Sequence, residues 1–228
     1  MNAQEEVVNI IKSLQLQHNG GFYLYRVHTK KSSALCANSL GDLNSFLTKV
    51  FEACPNHFFQ SGPRGSALKF KLPLELIEVT GHEVSNLAKW GLQENSDRFS
   101  QAHLQVQTFM LENDSKTIAM EVPIWLEHHE LEGFIGVLNT FQPLTGHIDI
   151  VRVDNENVWI WDYKPNARKE KYAATQTFFY ALMLCKRTGI PLEKFRCGFF
   201  DKNYAYLFKP ELKYLQRSVQ LTAYQSHS

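Results

Sequence analysis

Gly146-His147-Ile148-Asp149-Ile150-Val151-Arg152-Val153, then Asp154-Asn155-Glu156-Asn157, then Val158-Trp159-Ile160-Trp161-Asp162-Tyr163-Lys164: this stretch decides the fold. Its two flanks are β-branched and aromatic, and the four residues between them are turn formers, so it reads as a β-hairpin. With 154–157 as the loop, Val153 faces Val158, Val151 faces Ile160 and Asp149 faces Asp162. Side chains alternate along a strand, which puts Asp149, Asp162 and Lys164 on one face and Trp159, Trp161 and Tyr163 on the other. Two carboxylates facing each other at ~5 Å repel by roughly 3 kcal/mol at an effective dielectric of about 20. A hard divalent cation converts that cost into a binding site, because Mg²⁺ prefers carboxylate oxygens and keeps several waters. Pro165 biases Lys164 towards an extended backbone, which holds its ammonium beside the acids.

Acid-x-Lys is a common triplet, and the chain also has it at Asp114–Lys116 and Glu211–Lys213. A lone triplet reads as a solvated surface pair. The 162–164 triplet differs because it ends an apolar strand and has a partner aspartate on the strand before it. Downstream, residues 170–188 read as a helix stopped by Gly189 and Pro191. Gln176 and Tyr180 lie four residues apart and share one face of that otherwise apolar helix, where buried polar groups need partners. Arg168, Lys169 and Lys171 cluster at its start and are candidates for phosphate contacts; a solvated helix start is the equal alternative.

These residues resemble the PD-(D/E)XK nucleases, in their RecB-like branch with the CRISPR-adaptation and lambda-type exonucleases. The resemblance rests on Gly146-x-Ile148-Asp149, Asp162-Tyr163-Lys164 and Gln176-x-x-x-Tyr180, and it covers about residues 100–208. It implies an α/β, restriction-endonuclease-like mixed central sheet flanked by helices, cutting DNA with Mg²⁺ or Mn²⁺. Asp149 and Asp162 would be metal ligands, and Lys164 would orient or activate the attacking water and stabilise developing charge. Gln176 and Tyr180 would contact the DNA backbone or support the site. The chain departs from the pattern in having Ile148 where the motif names proline, and Pro165 where threonine is common. The branch also has a histidine in a helix ahead of the first aspartate and often an acid on the following strand. Those positions fall at His103, in a helix expected over 98–112, and at Glu121, in a strand over 118–125. Both are candidate metal residues.

The implied substrate is DNA, as single strands or duplex ends, and the implied setting is repair, recombination or defence, with room for a helicase or other repair partner in trans. A non-catalytic nucleic-acid-binding or scaffold protein that kept the fold is the alternative, favoured mildly by a net charge of only +1. A hydrolase acting on another phosphodiester, RNA included, is a third. Other classes fall away. There is no HExxH spacing, so Glu127-His128-His129-Glu130 reads as the polar loop of a hairpin rather than a zinc motif. The Ser61–Ser66 loop lacks the phosphate-loop signature. Cys36, Cys54, Cys185 and Cys197 divide two and two with no CxxC, against an iron–sulfur cluster, and read as reduced thiols. No apolar run reaches eighteen residues and the start lacks a basic leader, so the expectation is a cytoplasmic protein without a membrane span.

With 44% hydrophobic residues the chain is globular. Residues 91–228 are expected to form the nuclease core, with a sheet of 118–125, 133–138, 146–153, 158–164, 195–200 and 204–208. Residues 1–90 are an N-terminal elaboration, open between a docking module, a cleft-shaping insertion and an integral part of the core. Within it, Glu5–Leu16 reads as a helix, Phe22–Val27 as a strand and Leu40–Glu52 as a helix capped by Ser39.

Overall fold

A computed structural model describes residues 10–130 and 142–215. The quoted stretch forms β5 (Leu144–Asp154) and β6 (Asn157–Tyr163), paired antiparallel with Val153 opposite Val158 and Val151 opposite Ile160. The turn is tighter than the expected four residues. Asn155 and Glu156 take φ of 48° and 58°, and Asp154 pairs with Asn157. Two consecutive left-handed residues match the right-handed twist of the flanking strands, which is why such turns close hairpins.

Around this hairpin the described residues form one eight-stranded mixed sheet with order β1-β2-β4-β5-β6-β7-β8-β3, flanked by helices on both faces. Its other strands are β1 (Ile11–His18), β2 (Gly21–His28), β3 (Ile77–Thr80), β4 (Thr117–Leu126), β7 (Phe195–Phe200) and β8 (Tyr204–Phe208). Among the described strands, only β6 and β7 pair in parallel. A parallel pair needs a crossover, supplied by α5 (Ala173–Thr188), which Gly189 ends in the left-handed conformation at φ 71°. β5 is buried along nearly its whole length, as a central strand covered on both faces must be. Ile150, Trp161, Tyr163 and Phe200 pack under α3 (Glu83–Glu94) and α4 (Ala102–Asn113). Val151, Ile160 and Phe195 pack on the opposite side with α2 (Gly41–Ala53), which follows the short α1 (Thr29–Leu35), and with the apolar face of α5.

Three expectations change. Residues 11–16 are strand, not helix: Leu14, Leu16 and His18 alternate inward, and β1 pairs with β2 from Ile11–His28 to His18–Gly21. Leu40, not Ser39, precedes α2, and no side chain caps that helix. Asp114 is not a solvated surface acid. It is buried and receives Nε and Nη2 of the buried Arg152 at 2.8 and 3.2 Å, which ties the end of α4 to β5. Burial raises its carboxyl, but the Arg152 hydrogen bonds outweigh this and hold it below the ordinary value. Residues of the first 90 thus supply β1, β2 and β3 to the same sheet. The strand expected at 133–138 and the tail after 215 lie outside the described residues. No described helix is long and apolar enough to cross a membrane.

Candidate active site

The β5–β6 ladder stops at Ile150–Trp161, and beyond it the strands part. Asp149 and Asp162 are the next residues in register, so they sit at the fork. The backbone N–H of Tyr163 has no β5 carbonyl there; it donates instead to Asp149 Oδ2 at 2.9 Å. Lys164 N–H donates to Phe200 O at 2.8 Å, fixing the strand end, and its Nζ lies 2.7 Å from Asp162 Oδ2. From α5, Gln176 Nε2 donates to Asp162 Oδ1 at 2.9 Å and to Tyr180 Oη at 3.1 Å. From α4, His103 Nε2 approaches Asp149 Oδ2 at 3.8 Å, its ring edge-on to Tyr163.

Glu121 lies opposite Asp149 by the β4–β5 register, which puts Glu121, Asp149 and Asp162 in a row across three strands. Its φ of 51° is unusual for a non-glycine residue inside a strand, and such strain concentrates at functional positions. Gln107, one helical turn after His103, donates its Nε2 to Glu121 Oε1 at 2.7 Å. Tyr180 is wedged between Gly65 and Gly146, where a Cβ on either would overlap its ring. Gly146 is therefore a close-approach glycine.

Electrostatics mark this cluster. Burial, reinforced for Asp162 by Asp149 and for Glu121 by Asp149 and then Asp162, raises all three acids against the opposing pull of Lys164 and Gln107. Asp149 reaches about 6, Asp162 about 7 and Glu121 about 8. Burial pulls Lys164 down, but Asp162 and Asp149 outweigh it and hold the ammonium above the ordinary lysine value. Partial burial lowers His103, leaving a neutral imidazole near pH 7. Strongly perturbed acids gathered with a charged lysine are typical of functional sites.

The residues fit a hard cation. Asp162 Oδ2 is buried without a well-formed hydrogen bond although it faces Lys164, and the donor set is carboxylate oxygen. Among the described residues no three acid, histidine or cysteine side chains close on one point, so solvent would complete the coordination of an ion held by Asp149 and Asp162.

Sequence reasoning missed Gln107 and Arg64. Helical spacing from His103 was the available signal for Gln107. Arg64 stacks over Tyr23 at 5.1 Å and donates to Asn19 O, and its charge reaches Glu121 and Tyr180. Of the basic trio before α5, Arg168 is engaged with Glu78 and Tyr204, while Lys169 and Lys171 are exposed.

Raised acids carry a sign. The folded protein holds protons on these acids that the unfolded chain releases near pH 4, so their contribution to stability falls as pH rises from about 4 through about 8. In EDTA, wild type should melt lower at pH 8 than at pH 5. Glu121→Gln, which keeps an oxygen for Gln107, should narrow that gap; an unchanged gap would mean that Glu121 is not part of the cluster.

No curated protein and no solved structure matches the chain. The model of the PD-(D/E)XK nuclease superfamily matches residues 71–226, from before α3 through the fork, Lys164 and α5. The match covers more than half of the chain and agrees with its mixed sheet flanked by helices, and the chain belongs to the PD-(D/E)XK nuclease superfamily.

Proposed function

We propose that this protein is a divalent-metal-dependent deoxyribonuclease of the RecB-like kind, an exonuclease acting on DNA ends or single strands in repair, recombination or defence. The observation that carries the reading is the fork, where Asp149 lies next in register to Asp162, and Asp162 has Lys164 at 2.7 Å on one oxygen and Gln176 at 2.9 Å on the other. Bound Mg²⁺ or Mn²⁺ would neutralise the two carboxylates and stabilise charge on the phosphate. Lys164 keeps its proton and presents a fixed positive charge where the attacking water and the phosphate oxygens would meet. Gln176 holds Asp162, and Tyr180 holds Gln176. His103 and Glu121 stand at the opposite wall, each able to receive or orient a water. Residues 91–228 form the nuclease core on this reading, and the first 90 residues elaborate it on the substrate side, through the β1–β2 hairpin and the 61–66 loop. A helicase or other repair factor acting in trans is the partner that such a nuclease would take on this reading.

End-labelled single-stranded DNA, duplex DNA and RNA, each with Mn²⁺, Mg²⁺ or EDTA, test this reading. Metal-dependent shortening of DNA supports it. The net charge of +1 favours a scaffold that binds without cutting, and binding with no cleavage under any metal would establish that alternative. Neutralising Arg168, Lys169 and Lys171 together should weaken DNA binding and flatten its salt dependence by up to about three units of slope, with Arg168 contributing least. Gln176→Ala should lower turnover more than binding. An unchanged salt slope in the triple variant would place the strand elsewhere.

A further inference from the structure

β2 pairs with β4 only at Arg26–Met120 and Val27–Ala119. Beyond them Glu121 takes its left-handed turn, β4 continues against β5, and the β1–β2 hairpin leaves the sheet towards its tip at Asn19-Gly20, its other face resting on Phe59, Arg64 and His147. The parting leaves a cavity of about 560 Å³ between the hairpin and the first turns of α4. Its inner end is Glu121, His103 and Gln107; its outer wall includes Gln15, Gln101 and Phe22. Phe22 is 69% exposed, the most exposed of the large apolar side chains among the described residues. Among the described residues, no lysine or arginine lines the cavity.

This wall chemistry selects its occupant. A cleft without cations does not favour a phosphate, whereas an accessible aromatic ring flanked by side-chain amides suits the face and edge of a nucleobase. A base inside a duplex is stacked and paired, so only an unpaired base can occupy such a cleft. We propose that Phe22 is a specificity-determining residue that stacks on an unpaired nucleobase of the strand whose phosphate lies at Asp149 and Asp162, with Gln15 and Gln101 facing the edge of the base. The inference rests on the nuclease reading for the position of that phosphate, and on the cavity for the base.

The test uses single-stranded oligonucleotides carrying 2-aminopurine at successive positions from either end. They are bound in Ca²⁺ to wild type, Phe22→Ala and Phe22→Trp, and KM and kcat are then measured in Mn²⁺. Wild type should quench the probe at one position. Phe22→Ala should lose the quench, bind about tenfold more weakly, the size of one lost base–aromatic stack, and raise KM on single strands more than it lowers kcat. Phe22→Trp should restore both. Equal quenching, affinity and KM in wild type and Phe22→Ala would overturn the proposal. So would a change from dimer to monomer in Phe22→Ala without loss of quenching, which would make the ring a contact between copies. Wild type that binds through Phe22 but cuts nothing would keep this inference and overturn the nuclease reading. Wild type that cuts while Phe22→Ala behaves identically would do the reverse. Neither binding nor cutting would overturn both.

Discussion

Lys164→Ala is expected to lower DNA cleavage by about 10²-fold or more, the usual cost of removing one preorganised electrostatic donor, with metal binding largely kept. The ammonium stands 2.7 Å from Asp162 Oδ2, and two buried carboxylates keep it protonated despite its own burial. Its backbone is held by Phe200 and by Pro165, so the charge is placed before substrate arrives. Removing it takes from Asp162 the charge that opposes its raised carboxyl. The residual activity should therefore be displaced to higher pH as well as reduced. Lys164→Arg should not rescue it, because a planar guanidinium does not reproduce a compact ammonium between two acids. Near-wild-type cleavage by Lys164→Ala would leave the lysine as a structural counter-charge only.

Asp162→Asn should have a still larger effect on cleavage, about 10³-fold or more, as loss of one member of a group acting as a unit does. Asp162 is 1% exposed and is the meeting point of the site: Lys164 approaches one oxygen and Gln176 donates to the other. Asparagine keeps an oxygen for Gln176 and the same shape, so the fold should survive while the negative charge is lost. Circular dichroism and single-turnover cleavage with excess Mn²⁺ separate these effects. An intact fold with cleavage within tenfold of wild type would exclude Asp162 from the chemistry.

How far the sequence discloses this arrangement depends on the range of the interactions. The β5–β6 register is legible because a short turn and strict alternation fix it locally, so Asp149 and Asp162 can be paired before any coordinates are seen. The side-by-side placement of Gln176 and Tyr180 is legible from helical spacing; their hydrogen bond to each other, and that of Gln176 to Asp162, are not. β1 is misread because leucine and glutamine form helices well in isolation. The Asn19-Gly20-Gly21 turn, with Gly20 at φ 102°, was the cue that outweighs propensity. The left-handed backbone of Glu121 has no local signature, since glutamate seldom adopts it; its side chain is held by Gln107 from α4, 14 residues away. Asp114 shows the same limit in reverse, an apparently ordinary surface triplet drawn inside by an arginine 38 residues away.

Metal-induced stabilisation of wild type against Asp149→Asn probes the two-aspartate fork by itself, because it needs no substrate. Asparagine still accepts the Tyr163 N–H, so the fork should keep its shape while the carboxylate charge is lost. At pH 8 the acids of wild type are largely ionised and repel one another. Mn²⁺ at a hundredfold its Kd should then add about 2.7 kcal/mol to stability and raise the melting temperature, through linkage to the folded state alone. A clear rise is expected in wild type and none in Asp149→Asn. Equal rises in the two proteins would place the metal elsewhere and contradict the assignment of the site.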